Sequence, residues 1–241
     1  MSICQPTPYP PTSPPETEAM LLKRAQALAG RSIQSVATQA GLDVPKRLHH
    51  HKGWIGQLLE GMLGAEAGNQ SCPDFIQLGV ELKTLPLNAA GKPRESTYVC
   101  AINSHQLDMP SNLYWRLSPV YKKLAKVLWV PIEAEPSIPL AKRKFLTPFL
   151  WTMTPDIEEV LQRDWEELME ALTLGYADQL SAHQGSYLQI RPKAANAQVK
   201  SAYLNSVCEM TYIVPKGFYL RPRFTHFLQK TAARAFLDAN R

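Results

Sequence analysis

The segment DFIQLGVELK, residues 74–83, combines two carboxylates, a glycine and a lysine within ten positions. On an extended strand, Glu81 and Lys83 are two residues apart and project from the same face. A bend at Leu78-Gly79 brings Asp74 back across that pair. The segment therefore predicts that two carboxylates and an ammonium group converge on one site, which suits a hard cation.

The residues around these side chains complete the predicted site. Val80 and Leu82 alternate with Glu81 and Lys83, so their side chains are expected to point into the core. Mg²⁺ prefers oxygen ligands, and two carboxylates with the backbone carbonyl of Leu82 leave positions for water and a phosphate group. Such a site serves phosphodiester hydrolysis, in which Lys83 orients or helps to deprotonate the attacking water. Glu60, on the preceding predicted helix, is a further acid for the metal's shell.

A glutamate two residues before a lysine is by itself a weak signal. A chain of 241 residues is expected to contain about one such pair by chance. The alternative is an exposed edge strand whose two charges are simply hydrated. The neighbouring sequence has to decide between the two interpretations.

The order of the predicted elements is that of a mixed α/β protein. A helix follows a capping-box pattern at Ser13 and Glu16, and two more helices cover 32–41 and 54–63. The first two helices could be mistaken for a DNA-reading helix-turn-helix, but they lack a sharp signature of that motif. Three further helices are predicted: a basic helix from Tyr121 through Lys126, one from Pro155 to about 172, and one from about 223 onward. Strands are predicted at 74–84, 97–102, 127–132, 187–191, 210–214 and 218–220.

Composition favours a folded cytoplasmic protein with a short tail. Residues 1–15 contain six prolines and are expected to be a flexible tail, whereas 45% hydrophobic content lets the rest bury a core. No long apolar run and no signal-peptide pattern appears, so the chain is not expected to span a membrane. The four cysteines form no CxxC pair, which predicts ordinary thiols rather than a zinc site or a disulfide framework.

Charge is segregated along the chain. Residues 155–178 carry eight acidic residues and one basic residue, a net charge of −7. Residues 186–241 carry nine basic residues and two acidic residues, a net charge of +7. A basic C-terminal quarter suits a polyanion such as DNA, although a hydrated basic surface is an equal alternative.

Taken together, Pro73-Asp74 and Glu81-Leu82-Lys83 resemble the PD-(D/E)xK nuclease motif, and the surrounding sequence resembles the MutH family of mismatch-repair endonucleases. The matching blocks run in order over nearly the whole chain from about Pro14: KGWIG (52–56), LGVELKT (78–84), VLWVP (127–131), IRPKAAN (190–196) and GFYL (217–220). Two stretches depart from the family, the loop 103–112 and the three histidines at 49–51, which are expected to lie in a surface loop.

The resemblance implies a restriction-endonuclease-like α/β fold, a mixed sheet flanked by helices with two lobes around a DNA-binding cleft. It implies a single domain, 16–241, whose part at about 16–110 is mainly catalytic and whose part at about 111–241 mainly reads DNA.

The resemblance also implies roles for individual residues. The metal ligands are Asp74, Glu81 and the carbonyl of Leu82; Lys83 is the catalytic lysine and Glu60 an additional active-site acid.

For DNA, the resemblance implies that Lys52 and Lys123 lie near the backbone. Arg191, Pro192 and Lys193 would reach the bases of a GATC site, because arginine can donate two hydrogen bonds to guanine and proline can touch the thymine methyl. Tyr219 would sense adenine methylation, although a tyrosine on a strand is more commonly a half-buried packing residue.

The activity implied is Mg²⁺-dependent nicking of the unmethylated strand at hemimethylated GATC sites. The protein would be a monomer activated by MutL, with MutS acting indirectly. Two alternatives stay open: a restriction-type endonuclease of the same fold that acts without MutS and MutL, and a DNA-binding module without metal dependence.

Overall fold

In a computed structural model, the chain divides into two units built from alternating stretches of sequence. The first comprises Met1–Arg94 and Val127–Trp151, and the second comprises Glu95–Lys126 and Thr152–Arg241. The structure describes residues 12–46, 53–68, 72–102, 114–174, 176, 184–193, 201–204, 210–213 and 215–239. None of the helices in these ranges is long and apolar enough to cross a membrane.

In its described residues, the first unit contains three α-helices and a three-stranded sheet. The helices are α1 (Glu18–Gln26), α2 (Ile33–Gln39) and α3 (Trp54–Leu63). The sheet contains β1 (Glu81–Leu87), β3 (Lys126–Glu133) and β4 (Phe149–Thr152) in the order β1-β3-β4. Strands β1 and β3 are parallel, with Glu81 opposite Val127 and Lys83 opposite Trp129.

One hydrophobic core joins these helices to one face of the sheet. Leu21, Val36 and Leu59 from the three helices are fully buried in the same cluster as Leu82 and Leu128 of the sheet. Apolar side chains at helical spacing thus meet the alternate residues of β1 and β3, which turn toward the helices. The opposite face of β1 carries Glu81 and Lys83.

The second unit is built around an antiparallel sheet in the order β2-β8-β5. These strands are β2 (Thr97–Ala101), β5 (Leu188–Pro192) and β8 (Lys216–Leu220), and a separate antiparallel pair joins β6 (Ser201–Leu204) to β7 (Met210–Ile213). The α-helices in the described part of this unit are α4 (Pro119–Leu124), α5 (Pro155–Thr173) and α6 (Pro222–Ala239). Leu161, Trp165, Leu168 and Leu172 form a buried stripe on α5.

The predicted mixed α/β architecture, with sheets flanked by helices, is confirmed. Three local predictions are wrong. The cap of α1 is Thr17, whose hydroxyl accepts a hydrogen bond from the amide of Met20, because Pro14 and Pro15 delay the helix beyond Ser13.

The second error concerns residues 74–84, which do not form one strand, because a 3₁₀ turn at Ile76–Leu78 precedes β1. The third concerns the basic helix, which ends at Leu124 and gives way to β3 at Lys126. Strands β4 and β6 were not predicted.

Candidate functional site

The first group of candidate residues lies where the chain enters β1. The predicted bend is present as a 3₁₀ turn that ends at Gly79, whose φ of +63° is readily adopted by glycine. Phe75 and Val80 close this turn with reciprocal backbone hydrogen bonds of 2.9 and 3.3 Å. Asp74 is thereby brought back to β1, where its Oδ2 accepts a hydrogen bond of 2.8 Å from the amide of Leu82.

Glu81 and Lys83 share one face of β1 and touch each other. The Nζ of Lys83 lies 2.6 Å from Oε1 of Glu81. Only 8% of Asp74, 3% of Glu81 and 8% of Lys83 are exposed. Fully buried Val127 and Trp129 are the register neighbours of Glu81 and Lys83 on β3, so the ion pair has apolar neighbours.

Three buried ionisable groups in one short segment are costly to the fold unless they compensate one another. One ammonium group and two carboxylates leave a formal net charge of −1 when all three are ionised. Carboxylate oxygens are the donors that a hard divalent cation prefers. Asp74 and Glu81 therefore fit a magnesium ion by the chemistry of their donor atoms.

Glu60 lies on α3 and is half-buried. A methyl group added at Gly56 would lie 3.8 Å from Oε1 of Glu60, so this side chain runs back along its own helix. Within the described ranges, no group of three or more His, Cys, Asp or Glu residues is arranged to hold a metal ion. Contacts with β1 are seen for the carboxylates of Asp74 and Glu81.

The second group of candidate residues lies at the end of β5. Arg191, Pro192 and Lys193 are all exposed. Nη1 of Arg191 donates a hydrogen bond of 3.0 Å to Oγ of Ser96, and Nζ of Lys193 lies 5.4 Å from the centre of the Tyr98 ring. The second distance is within the range of a cation–π contact.

Tyr219 faces away from the buried side of the same sheet. Its neighbours Phe218 and Leu220 are buried, whereas Tyr219 itself is half-buried and stands opposite Tyr98 on β2 and Gln189 on β5. The rings of Tyr98 and Tyr219 meet edge to face at 5.3 Å and 66°. Alternation along the strands therefore gathers aromatic and polar groups on the face that also carries Arg191.

The phenols on this face are weak acids. Burial, with lesser contributions from Cys100 and Tyr219, raises the pKa of Tyr98 to about 12. Burial also raises the pKa of Tyr219; the positive charge of Arg191 opposes this effect and the negative charge of Glu95 adds to it. Both tyrosines are therefore neutral at physiological pH and can donate a hydrogen bond.

Gly217 lets the two aromatic rings lie against the sheet. A side-chain carbon at this position would come within 2.9 Å of the carbonyl oxygen of Cys100 and 3.0 Å of the Tyr98 ring. Cys72 and Cys100 are free thiols, whereas Cys4 and Cys208, the other two predicted thiols, lie outside the described residues. A residue without a side chain is thus needed between Lys216 and Phe218.

Asp164 of α5 is a buried acidic residue whose role is structural. It is only 2% exposed, and its carboxylate accepts hydrogen bonds from the amides of Ser186, Tyr187 and Leu188 at 2.5 to 2.9 Å. The carbonyl of Ser186 in turn accepts two hydrogen bonds from the guanidinium of Arg223. These contacts fix the segment that leads into β5.

Three residues with contacts in these regions were not predicted from the sequence: Ser96, Tyr98 and Asp164. The alternation of β2 could have indicated Tyr98, and Asp164 lies three residues after Leu161 and four before Leu168, on the buried stripe of its helix. No signal pointed to Ser96. Two predicted groups, Lys52 and the histidines at 49–51, lie outside the described residues, as does the loop 103–112.

Lys123 is the remaining predicted site residue. It lies in the last turn of α4 and is half-buried.

Comparison with known proteins identifies the family. The family described as DNA mismatch repair enzyme MutH matches residues 63–164. The chain is similar to the DNA mismatch repair protein MutH of Escherichia coli O6:K15:H31 (strain 536 / UPEC), with 46% identity over 95% of this chain and 98% of that protein. It is also similar to the protein of the same name from Serratia proteamaculans (strain 568), with 46% identity over 91% of this chain and 94% of that protein. With identity of this level over nearly its full length, the chain belongs to the MutH family of DNA mismatch repair enzymes.

Proposed function

We propose that the chain is an endonuclease of mismatch repair that nicks the unmethylated strand at hemimethylated GATC sites by Mg²⁺-dependent hydrolysis of a phosphodiester bond. The observation that carries the proposal is the buried group of Asp74, Glu81 and Lys83 at the start of β1. Family membership supports the role in mismatch repair.

In this proposal Asp74 and Glu81, with the carbonyl of Leu82, hold the magnesium ion. The bound ion supplies Lewis-acid polarisation of the phosphate and lowers the pKa of a water. Lys83 orients or helps to deprotonate the attacking water, and its Nζ is held 2.6 Å from Glu81 on the same strand face. Glu60 is proposed as an additional acid that acts from α3.

The proposed reading of DNA uses the exposed end of β5. Arg191, Pro192 and Lys193 contact the bases of the GATC site, and Tyr219 meets the adenine amino edge that methylation would crowd. A methyl group there would displace the ring or remove a hydrogen bond, so only the unmethylated strand is cut. Lys52 and Lys123 contribute sequence-independent contacts with phosphate groups.

The proposed regulation depends on partners. The sequence contains no phosphate-binding GxxxxGK(S/T) motif, so the use of ATP is assigned to MutS and MutL. MutL activates the protein, which acts as a monomer. A restriction-type enzyme of this fold would be active alone.

A plasmid with one mismatch and one hemimethylated GATC site tests the function. We expect slow nicking by the protein with Mg²⁺, much faster nicking after addition of MutS, MutL and ATP, and no nicking in EDTA. A fully methylated plasmid is the substrate control. Lys83→Ala should lose on the order of a hundredfold or more in nicking rate, and Lys142→Ala, at an exposed lysine of the first unit, is its matched control. Full activity without MutS and MutL would instead identify a restriction-type enzyme.

A further inference from the structure

Ser96, which directly precedes β2, connects a buried side chain to an exposed one. Its Oγ accepts a hydrogen bond of 2.7 Å from Nε2 of Gln189 and another of 3.0 Å from Nη1 of Arg191. Gln189 is only 3% exposed, whereas Arg191 is exposed. The hydroxyl oxygen thus accepts one hydrogen bond from a buried donor, Gln189, and one from a donor that faces solvent, Arg191.

The position of Gln189 explains why the hydroxyl can act as a fixed point. Gln189 and Arg191 are two residues apart on β5 and therefore share its face, and Gln189 is paired in register with Tyr219. A buried amide loses its freedom of rotation when the sheet forms. The Ser96 oxygen that it holds is consequently a rigid acceptor beneath a long, otherwise adaptable guanidinium side chain.

We propose that Ser96 is a positioning residue that holds the guanidinium of Arg191 in the orientation needed to read a base. The inference rests on the proposed function, in which Arg191 contacts the GATC site. A guanidinium group has five N–H donors and Ser96 uses one, so four remain for a partner. Holding the side chain before DNA arrives lowers the entropy that binding would otherwise cost.

Competition binding measures this effect. Affinity is compared for a duplex with one hemimethylated GATC site and for a duplex with the same bases scrambled, with Ca²⁺ replacing Mg²⁺. We expect Arg191→Ala to lower the preference for GATC roughly 5- to 150-fold. Ser96→Ala should lower it about twofold to tenfold, the value of one hydrogen bond, and Ser96→Thr should restore it.

A double variant separates positioning from structure. If Ser96 acts through Arg191, Ser96→Ala causes no further loss of preference in the Arg191→Ala background. Suppose instead that Ser96→Ala weakens binding to both duplexes equally, and does so in the Arg191→Ala background as well. The inference is then overturned in favour of a structural role. Should Ser96→Ala fail to fold, Ser96→Cys, similar in size but a weaker acceptor, takes its place with the same expectations.

The control is Ser35→Ala, because Ser35 also accepts a hydrogen bond from an arginine, Arg31 at 3.2 Å, on a helix of the first unit. It should leave the preference unchanged. If Ser96→Ala keeps the normal preference for GATC while Arg191→Ala loses it, the inference about Ser96 is overturned and the proposed function is not. Equal binding of both duplexes by the unmodified protein would overturn the proposed function as well.

Discussion

Replacing the Glu81 and Lys83 ion pair by apolar residues should stabilise the fold relative to either single replacement while abolishing activity. The variants are Lys83→Met, Glu81→Leu and the two combined. Each single change leaves one charge buried beside Val127 and Trp129 without its 2.6 Å partner. The combined change removes both charges and fills similar space with apolar atoms, while Asp74 keeps the hydrogen bond that it accepts from the amide of Leu82.

The magnitude follows from distance and burial. Two unit charges 2.6 Å apart attract each other by about 6 kcal/mol at an effective dielectric constant of about 20. Removing each charge from water costs several kcal/mol, so the net contribution of the pair is near zero. We expect each single variant to lose roughly 3–5 kcal/mol of unfolding free energy, and the double variant to lie within about 1 kcal/mol of the original protein or above it.

Urea unfolding in EDTA measures these differences, and nicking in Mg²⁺ measures the activity. All three variants should lose on the order of a hundredfold or more in nicking rate, which is the scale of a proton-transfer group. Arg116→Met is the control, since it removes an ion pair with Glu158 at the surface, and it should leave stability almost unchanged. A double variant destabilised by the sum of the two single losses would refute the reasoning, because the pair would then be a net support of the fold.

Three further predictions concern other groups. Asp74→Ala and Glu81→Ala should each weaken Mg²⁺ binding in calorimetric titration. The double variant should lose little more activity than either single variant, since residues that hold one ion act as a unit. Unchanged Mg²⁺ affinity in both single variants would exclude the two residues as ligands. Tyr219→Ser should reduce discrimination between methylated and unmethylated strands in a strand-specific nicking assay, and an unchanged ratio would assign the ring to packing alone. Asp164→Asn should cost about 1–3 kcal/mol of unfolding free energy through its three amide contacts. Glu167→Gln, at an exposed position of the same helix, is its control, and equal stability of the two variants would contradict the anchoring role.

The local geometry of residues 74–83 could be predicted because it depends on neighbours in sequence. Alternation alone predicted that Glu81 and Lys83 share a face and that Leu82 turns inward. The glycine at position 79 indicated the turn that brings back Asp74. The extent of the turn was missed, because a 3₁₀ turn and the start of a strand can have similar hydrophobic patterns.

Contacts between distant residues could not be predicted in this way. The hydrogen bond of Arg191 with Ser96 joins positions that are 95 residues apart, and nothing in the local pattern of either segment encodes the pairing of β2 and β5 with β8. Asp164 looked like one more hydrated acid of a helix with a net negative charge. Its burial depends on three amides that arrive more than twenty residues later.

The parallel pairing of β1 with β3 has a consequence for biosynthesis. Strand β1 ends at Leu87, and its partner does not begin until Lys126. At a translation rate of about 5–20 residues per second, the ribosome needs roughly 2–8 s to make the intervening chain. During that interval the edge of the nascent β1 that pairs with β3 has no partner strand. Glu81 and Lys83 also lack their apolar neighbours Val127 and Trp129. Completion of the first unit, and with it of the candidate metal centre, must therefore wait until part of the second unit has been synthesised.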